Sequence, residues 1–344
     1  MGSLREPKPF WTDTSIELRK EIESLVGSPI RKANRVFGGY GPSATFRLYL
    51  EDGRTIFAKG AGKGANLEIR KAIPLEESAY RNINAIRPLS PAYLGSVIVN
   101  DWHLLLLEDL RKVIKVPPWT DKLAVQAVHD IAQFHLRGMA EEGEVEQIQT
   151  KGLTDNWQTI RNNPVEADYF LGLFRQERSR AEAWLNDALD RLITAESELI
   201  NPNQPWGLIH KDIRSDNLRF KDGKLVLFDW ASVCRGPLIL DVLFFFPSVT
   251  AEGGPTADFL LPVYKEVMDG EGVRFPAYAE RAAAAAIAGF FASRAGKPPI
   301  PALPRLRKVQ CLQLGPALEW AAKVLNLPQP PLVHLNESNR NRAK

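Results

Sequence analysis

The sequence contains few cysteines, the residues that cross-link small domains or bind soft metals. Only two of its 344 residues are cysteines, Cys234 and Cys311. They lie far apart and lack the paired spacing of a structural zinc site or a disulfide framework. We therefore interpret both as small buried apolar residues and expect a reducing, cytoplasmic setting.

Long apolar runs and a strong net charge are also missing. The most apolar segment, RAAAAAIAGFFASRAG, lies between Arg281 and Arg294 and is too short to cross a bilayer, which predicts a buried helix. The first residues lack the apolar core of a signal peptide, and Glu6 stands where a myristoylation signal requires Ser or Thr. The net charge is only +3. We expect no membrane anchor and no nucleic-acid partner.

The chain is long enough for two sub-domains, and its start is predicted to be rich in β-strands. Between residues 31 and 60, two strand-like runs flank an Asp52-Gly53 step that is typical of a hairpin turn. A glycine-rich loop at 38–43 precedes the first run, and Lys59 ends the second. Glycines between strands allow backbone amides to approach a ligand closely. A phosphate site is one interpretation of this loop, and an ordinary turn is the other.

The segment PLEESAYRNINAI predicts a helix that begins at Pro74 and carries acidic residues, including Glu76 and Glu77, in its first turn. Two further strand-like runs then end at Glu108-Asp109, where a polar step after five apolar residues indicates a boundary between lobes. We expect backbone groups of residues 107–109 to pair with an adenine edge while the Leu107 side chain faces the ring.

Helices dominate the chain beyond this boundary. Thr120 is expected to cap a helix, on which we interpret His129 and His135 as packing or surface residues because no partner motif surrounds them. Residues 164–200 and 255–327 are predicted to be mostly helical, and the last residues, NESNRNRAK, are polar and expected to be disordered.

The stretch LIHKDIRSDNLRFKDGKLVLFDW, residues 208–230, carries the densest group of polar residues. Two apolar runs flank Asp222-Gly223, which predicts an antiparallel hairpin with Asn217 and Asp229 at its open end. Asp212 lies just upstream. A site built from amide and carboxylate oxygens suits Mg²⁺ better than a soft metal.

The spacing His-x-Asp-x-x-x-x-Asn, followed by a hairpin that ends in Asp, is the arrangement that kinases use. With LVLFDW and RGPLILDV, the chain resembles the aminoglycoside phosphotransferase and choline kinase-like family of small-molecule kinases. The resemblance runs from about residue 30 to 250 and more loosely to 328. It implies an α+β, two-lobed protein-kinase-like fold with a small β-rich N-lobe (1–108), a larger, mainly helical C-lobe (109–330) and a polar tail (331–344).

The resemblance also implies roles for individual residues. Asp212 would be the catalytic base, and Asn217 and Asp229 would bind Mg²⁺. His210 would brace the catalytic loop, and Asp241 would hydrogen-bond it. The residues expected to bind ATP are Gly39, Tyr40, Gly41, Ser43, Lys59, Glu76 (or Glu77, as the partner of Lys59), Leu107, Glu108 and Asp109.

Three positions depart from the family pattern. Lys211 stands where the family commonly has Gly, and Arg214 and Ser215 replace the commoner His and Pro. Arg214, two residues after the expected base, is placed to meet the transferred phosphate, and we count it with Asp212 as catalytic. These departures bear on the geometry of the acceptor more than on the type of reaction.

The acceptor itself is predicted only as a small molecule with a hydroxyl group. From residue 251 onward the chain has 8 acidic against 12 basic residues, which disfavours a polycationic aminoglycoside. Two other functions stay open: a nucleotide-binding regulatory pseudokinase with little transfer activity, and a protein kinase, although Asp229-Trp230 and the lack of an Ala-Pro-Glu segment weaken the latter. We expect a monomer or a weak dimer.

Overall fold

The computed structural model describes residues 6–37, 41–111, 113–301 and 303–334. Gly39 and Tyr40 of the predicted nucleotide loop, and the tail beyond residue 334, lie outside the described residues. The described chain forms a sheet-based N-terminal lobe followed by a helical C-terminal lobe. This is the two-lobed α+β architecture that the sequence predicted.

An antiparallel sheet of order β1-β2-β3-β5-β4 forms the N-terminal lobe. Its strands are β1 (Ile30–Arg35), β2 (Ala44–Leu50), β3 (Thr55–Ala61), β4 (Tyr93–Val99) and β5 (Trp102–Glu108). The turn between β2 and β3 falls at the predicted Asp52-Gly53 step, with Gly53 at φ 86°. Lys59 lies on the central strand β3, opposite Thr45 of β2 and Leu105 of β5. Because both neighbouring strands pair with β3 at this position, the backbone of Lys59 is fixed.

Helices α1 (Ile16–Val26) and α2 (Leu67–Asn82) belong to different cores. Leu18 and Ile22 of α1 join the buried cluster of Phe46 and Trp102, whereas Ile73 and Tyr80 of α2 join the large core that continues into the C-terminal lobe. Helix α2 therefore connects the sheet with the C-terminal lobe.

The predicted start of α2 at Pro74 was wrong. The helix begins at Leu67, and the Asn66 side chain caps it by accepting a hydrogen bond from Ile69 N at 3.0 Å. Pro74 lies inside the helix, where it provides no N–H for the carbonyl four residues earlier. An Asn cap with seven helical residues before the proline outweighs that lost hydrogen bond.

The C-terminal lobe is built mainly from helices. They are α3 (Asp121–Met139), α4 (Asn156–Asn162), α5 (Pro164–Leu171), α6 (Arg178–Ser197), α7 (Ile239–Ala251), α8 (Ala257–Gly270), α9 (Ala277–Ala295) and α10 (Leu306–Val324). Thr120 caps α3 as predicted, accepting from Leu123 N at 3.2 Å. The stretch predicted to be helical over 164–200 is interrupted by a short 3₁₀ segment, Gly172–Glu177, in which Arg175 has φ 49°.

Two short antiparallel strand pairs belong to this lobe. Strands β6 (Trp206–Ile209) and β9 (Cys234–Pro237) pair with each other, as do β7 (Leu218–Lys221) and β8 (Lys224–Leu227). Since β5 ends at Glu108, we propose a boundary between the lobes at residues 108 and 109.

The apolar segment singled out from the sequence forms α9, which is buried along most of its length. Among the described residues, none of the helices is long and apolar enough to cross a membrane. The helix packs beside α4, where Gly289 lets the side chains of Trp157 and Glu196 approach its backbone.

Glu196 of α6 makes the stability of this lobe depend on pH. It is 1% exposed and accepts hydrogen bonds from the N–H groups of Asn156 (3.2 Å) and Trp157 (3.1 Å) at the start of α4. Burial raises the pKa of Glu196 from 4.5 to about 7. Because this pKa is higher in the folded than in the unfolded protein, protonation of Glu196 stabilises the fold. This contribution to the free energy of unfolding is fully present below pH 4.5 and is lost as the pH rises through 7.

We expect Glu196→Gln to flatten this dependence. Between pH 4 and 8 the free energy of unfolding of the unsubstituted protein should fall by about 3 kcal/mol relative to that of the variant. Urea denaturation of both proteins across this pH range measures the difference. Parallel stability curves would contradict the assignment to Glu196.

Candidate active site

The hairpin of β7 and β8 carries Asn217 and Asp229 to its open end. Asp222 (φ 51°) and Gly223 (φ 77°) form its turn in the left-handed region, as the Asp-Gly step predicted. At the other end, Phe228 N donates to Asn217 O at 3.1 Å. Asp229 also has a positive φ, 70°, so the chain turns sharply there. Both side chains line one cavity between the lobes.

Asp212 is held by an amide and a guanidinium. Asn217 Nδ2 donates to Asp212 Oδ2 at 2.9 Å and to its carbonyl oxygen at 3.0 Å. Arg214 Nε lies 3.0 Å from Oδ1, and its Nη2 donates to Oδ2 at 3.0 Å. Burial raises the pKa of Asp212 to about 7, although Arg214 opposes the shift. The loop thus presents an oriented carboxyl group whose pKa lies near neutrality.

Lys59 forms ion pairs with two carboxylates from different elements. Its Nζ lies 2.8 Å from Glu76 Oε2 on α2 and 2.7 Å from Asp229 Oδ1 after β8. Burial alone would lower the pKa of Lys59, but Asp229 and Glu76 outweigh it and raise this pKa. The structure therefore brings Lys59 to Glu76; the alternative partner Glu77 instead contacts His103, Ser96 and Tyr93.

His210 ties the catalytic loop to the end of β8. It is fully buried, its Nδ1 accepts from Asp212 N at 3.2 Å, and its Nε2 lies 3.1 Å from Phe228 O. Because a backbone N–H can only donate, Nδ1 is the acceptor and the ring proton sits on Nε2. Burial lowers the pKa of His210, which favours this neutral form. The Trp230 ring packs beside it, with centroids 4.5 Å apart.

Asp241, at the start of α7, clamps the backbone of the same loop. Its Oδ2 accepts from His210 N at 2.6 Å, and its Oδ1 accepts from Lys211 N at 2.6 Å. Lys211 has φ 68°, a conformation that favours glycine. A glycine, which has no Cβ, adopts this φ without strain, which explains why Gly is common at this position. In this protein the two hydrogen bonds to Asp241 hold the strained Lys211 in place.

His135 and Glu252 contact residues that hold or form this loop, and neither role was predicted. His135 was interpreted only as a packing or surface residue, yet it is buried and contacts Asp241 Oδ2 at 3.3 Å. Glu252, just after α7, accepts from Ser215 Oγ at 2.5 Å and from Trp119 Nε1 at 2.8 Å. No local sequence signal connects residues so distant along the chain.

The predicted adenine-binding residues line the other end of the cavity, whose volume is about 220 Å³. Leu107 is buried there. The Glu108 N–H already donates to Ala92 O at 2.9 Å, so it is not available to an adenine edge. The single N–H of Arg47 Nε is shared between both carboxylate oxygens of Asp109, at 2.9 Å from each. The burial of Leu107 in this wall is consistent with a side chain that faces the ring. The pairing of the other backbone groups of residues 107–109 with an adenine edge stays a prediction.

Most of the predicted site residues meet in this one cavity, while Asp212 stands outside its wall and is joined to it through Asn217 and Arg214. The predicted residues in the wall are Gly41, Ser43, Lys59, Glu76, Leu107, Glu108, Asp109, Arg214, Asn217 and Asp229. The arrangement can hold a polyanion at one end and a flat apolar ring at the other.

The fold and this cleft are those of a two-lobed kinase. A family model described as the phosphotransferase enzyme family matches residues 83–302, which is more than half of the chain. The chain therefore belongs to the phosphotransferase enzyme family, as the resemblance predicted. No curated protein sequence matches it significantly.

Solved structures share the fold at low sequence identity. The AMP-bound complex of spectinomycin phosphotransferase, APH(9)-Ia, has a TM-score of 0.59 at 14% identity, covering 91% of this chain and 98% of that one. Amicoumacin kinase hAmiN, in complex with AMP-PNP, Ca²⁺ and Ami, has a TM-score of 0.53 at 11% identity, covering 87% of this chain and 94% of that one. A gentamicin–APH(2″)-IIa complex has a TM-score of 0.51 at 11% identity, covering 91% and 98%. These similarities confirm the predicted fold.

Proposed function

We propose that this protein is an ATP- and Mg²⁺-dependent kinase that transfers the γ-phosphate to a hydroxyl group of a small molecule, with Asp212 as the base. One observation carries the proposal. Lys59, paired with Glu76 and Asp229, lies in the same cleft as the loop in which Asn217 holds Asp212. Phosphoryl transfer needs cations at the phosphates and a positioned acceptor, and these groups supply both.

The residues at the hairpin end fit a magnesium ion. Asn217 turns its Nδ2 toward Asp212, which leaves Oδ1 for a metal, and Asp229 adds a carboxylate. The described residues contain no group of three or more His, Cys, Asp or Glu side chains arranged to hold a metal. That suits Mg²⁺, which takes one or two protein ligands and completes its shell with phosphate oxygens and water. When bound, Mg²⁺ would neutralise charge on the phosphates.

Each residue then has a part in the transfer. Asp212 orients the acceptor hydroxyl and finally takes its proton, for which a pKa near 7 is suited. Arg214, which contacts Asp212 at 3.0 Å, is placed to neutralise charge on the transferred group. Lys59 would hold the α- and β-phosphates while Glu76 keeps it in place. His210, Asp241 and Glu252 keep the loop in shape.

The two proposed substrates are an adenine nucleotide and a neutral or anionic acceptor. Proteins of the same fold carry AMP, ADP or AMP-PNP in their structures, which supports an adenine nucleotide here. Structures of this fold hold spectinomycin, gentamicin or hygromycin B. The excess of basic over acidic residues after position 250 favours a neutral or anionic acceptor over a polycationic one.

An acceptor screen tests this function. ADP release from Mg-ATP is followed with neutral, anionic and cationic hydroxyl compounds, and products are checked by mass for added phosphate. We expect Mg²⁺-dependent release with at least one neutral or anionic compound, and none with Asp229→Asn. ADP release without a phosphorylated product would mean ATP hydrolysis and would contradict the proposal.

A further inference from the structure

Residues 6–10, the N-terminal strap, run from the C-terminal lobe to the sheet. Their sequence is Glu-Pro-Lys-Pro-Phe, and each proline fixes its own φ and keeps the preceding residue extended. Glu6 is 2% exposed and binds Arg305 through two contacts, Nε–Oε1 at 2.9 Å and Nη2–Oε2 at 2.8 Å. Arg305 directly precedes α10. The strap is thus anchored on the C-terminal lobe by a bidentate ion pair.

Two residues further on, Lys8 reaches the start of β2. Its side chain is largely buried, with 8% of the residue exposed. Nζ donates to Ser43 O at 3.0 Å and to Thr45 Oγ1 at 2.9 Å, and Thr45 in turn donates to Val36 O at 2.6 Å. These two acceptors leave one of the three N–H donors of the ammonium for a further partner.

Lys8 lines the same cavity as Lys59 and Asp229. Within the part of the chain that the structure describes, no carboxylate forms an ion pair with it. Burial and, to a smaller extent, the neighbouring charge of Lys59 lower the pKa of Lys8 to about 8, although Glu6 and Asp229 act in the opposite direction. Two buried ammonium groups in one cavity repel each other, and a polyanion bound between them would remove that repulsion.

We propose that Lys8 is a further phosphate-binding residue, which the N-terminal strap delivers to the β- and γ-phosphates of the nucleotide. This inference rests on the proposed function, since it requires a bound nucleoside triphosphate. Glu6 acts as a positioning residue, because its ion pair with Arg305 fixes the end of the strap. Gly41 and Ser43, Lys59 and the strap then surround the phosphates from three separate segments of the chain.

A merely structural role for Lys8 would be to hold Ser43 and Thr45 in place, and the affinity for different nucleotides distinguishes the two roles. Titration calorimetry with Mg-AMP-PNP and with adenosine is carried out on the unsubstituted protein and on Lys8→Met, which keeps the apolar stem. Lys71→Met, at an exposed lysine of α2, is the matched control.

We expect Lys8→Met to bind Mg-AMP-PNP about 10- to 100-fold more weakly and adenosine about equally well, because adenosine has no phosphate for Lys8 to contact. Lys8→Arg, which keeps the charge, should stay within about threefold of the unsubstituted protein. Glu6→Gln should weaken Mg-AMP-PNP binding by about 3- to 10-fold, since the strap loses its charged anchor.

Four results would overturn the inference. Equal losses for Mg-AMP-PNP and adenosine would show that Lys8 only maintains the fold of the cleft, and so would an equal loss in Lys8→Arg and Lys8→Met. Unchanged or tighter binding of Mg-AMP-PNP by Lys8→Met would show that the strap does not contribute to the phosphate site. If the unsubstituted protein binds neither ligand, the proposed function fails together with the inference, and that outcome is distinct from the others.

Discussion

Replacement of Asp212 by asparagine is expected to lower kcat about 10²- to 10⁴-fold, the usual range for loss of a general base. The variant keeps an oxygen that can orient the hydroxyl but cannot accept its proton. The dissociation constant for Mg-ATP should change less than about threefold, because Lys59 and Asp229 stay in place. Steady-state kinetics and calorimetry on the same preparation measure the two quantities.

Asp216→Asn is the matched control for this experiment. Asp216 lies in the same loop, and its Oδ1 is 3.4 Å from Arg214 Nε, so the change also removes a carboxylate partner of Arg214. We expect it to lower kcat less than about tenfold, since Asp216 has no proton to accept in the reaction. Equal losses in Asp212→Asn and Asp216→Asn would trace the effect to Arg214 and would remove Asp212 from the role of base.

The second large effect is expected for Asp241→Asn. The carboxylate accepts hydrogen bonds from two successive backbone N–H groups, those of His210 and Lys211. An amide can accept only one of them, and its NH₂ group would face the other donor. We expect a loss of about 2–4 kcal/mol in the free energy of unfolding, and about a 100-fold loss in kcat as the loop shifts.

Chemical denaturation and steady-state kinetics measure both consequences of Asp241→Asn. Asp190→Asn, at an exposed aspartate of α6, provides the control for the substitution itself and should change neither quantity. A stable Asp241→Asn variant with an unchanged kcat would mean that the backbone of residues 210 and 211 keeps its shape without the clamp. A loss of stability without a loss of kcat would limit Asp241 to a folding role.

The parts of the site that could be predicted are those with local signals. The hairpin of β7 and β8 follows from two apolar runs and an Asp-Gly step, and these features lie within a few residues of each other. That short range also explains why the sequence alone was enough to place Asn217 and Asp229 at the open end of the hairpin. The helix after Thr120 was predicted for the same reason, because its cap is a local interaction.

Contacts between distant residues could not be predicted from the chain alone. His135 meets Tyr264 and Asp241, which follow it by 129 and 106 residues. Lys8 meets Ser43 and Thr45, which lie 35 and 37 residues further on. A single buried histidine or lysine has no sequence pattern that reveals its partners, so their contributions are visible only in the folded molecule.

Two local signals were misjudged because a second physical factor outweighed them. Pro74 was interpreted as the first residue of α2, but the Asn66 cap starts the helix a full two turns earlier. Lys211 was interpreted as a departure that bears on the geometry of the acceptor more than on the reaction, whereas its φ of 68° shows a conformational demand of the loop. In both cases the backbone geometry is satisfied by partners that lie outside the motif.

The most direct test of the proposed kinase activity is the transfer of labelled γ-phosphate from Mg-ATP into a metabolite extract, with Asp212→Asn as the comparison. We predict a labelled small-molecule product that appears with the unsubstituted protein and is absent with the variant. Such a product would also lead to the identity of the acceptor. The proposed activity would be contradicted if both proteins made the same product, or if Mg-ATP bound to the unsubstituted protein and no label left the nucleotide in any extract.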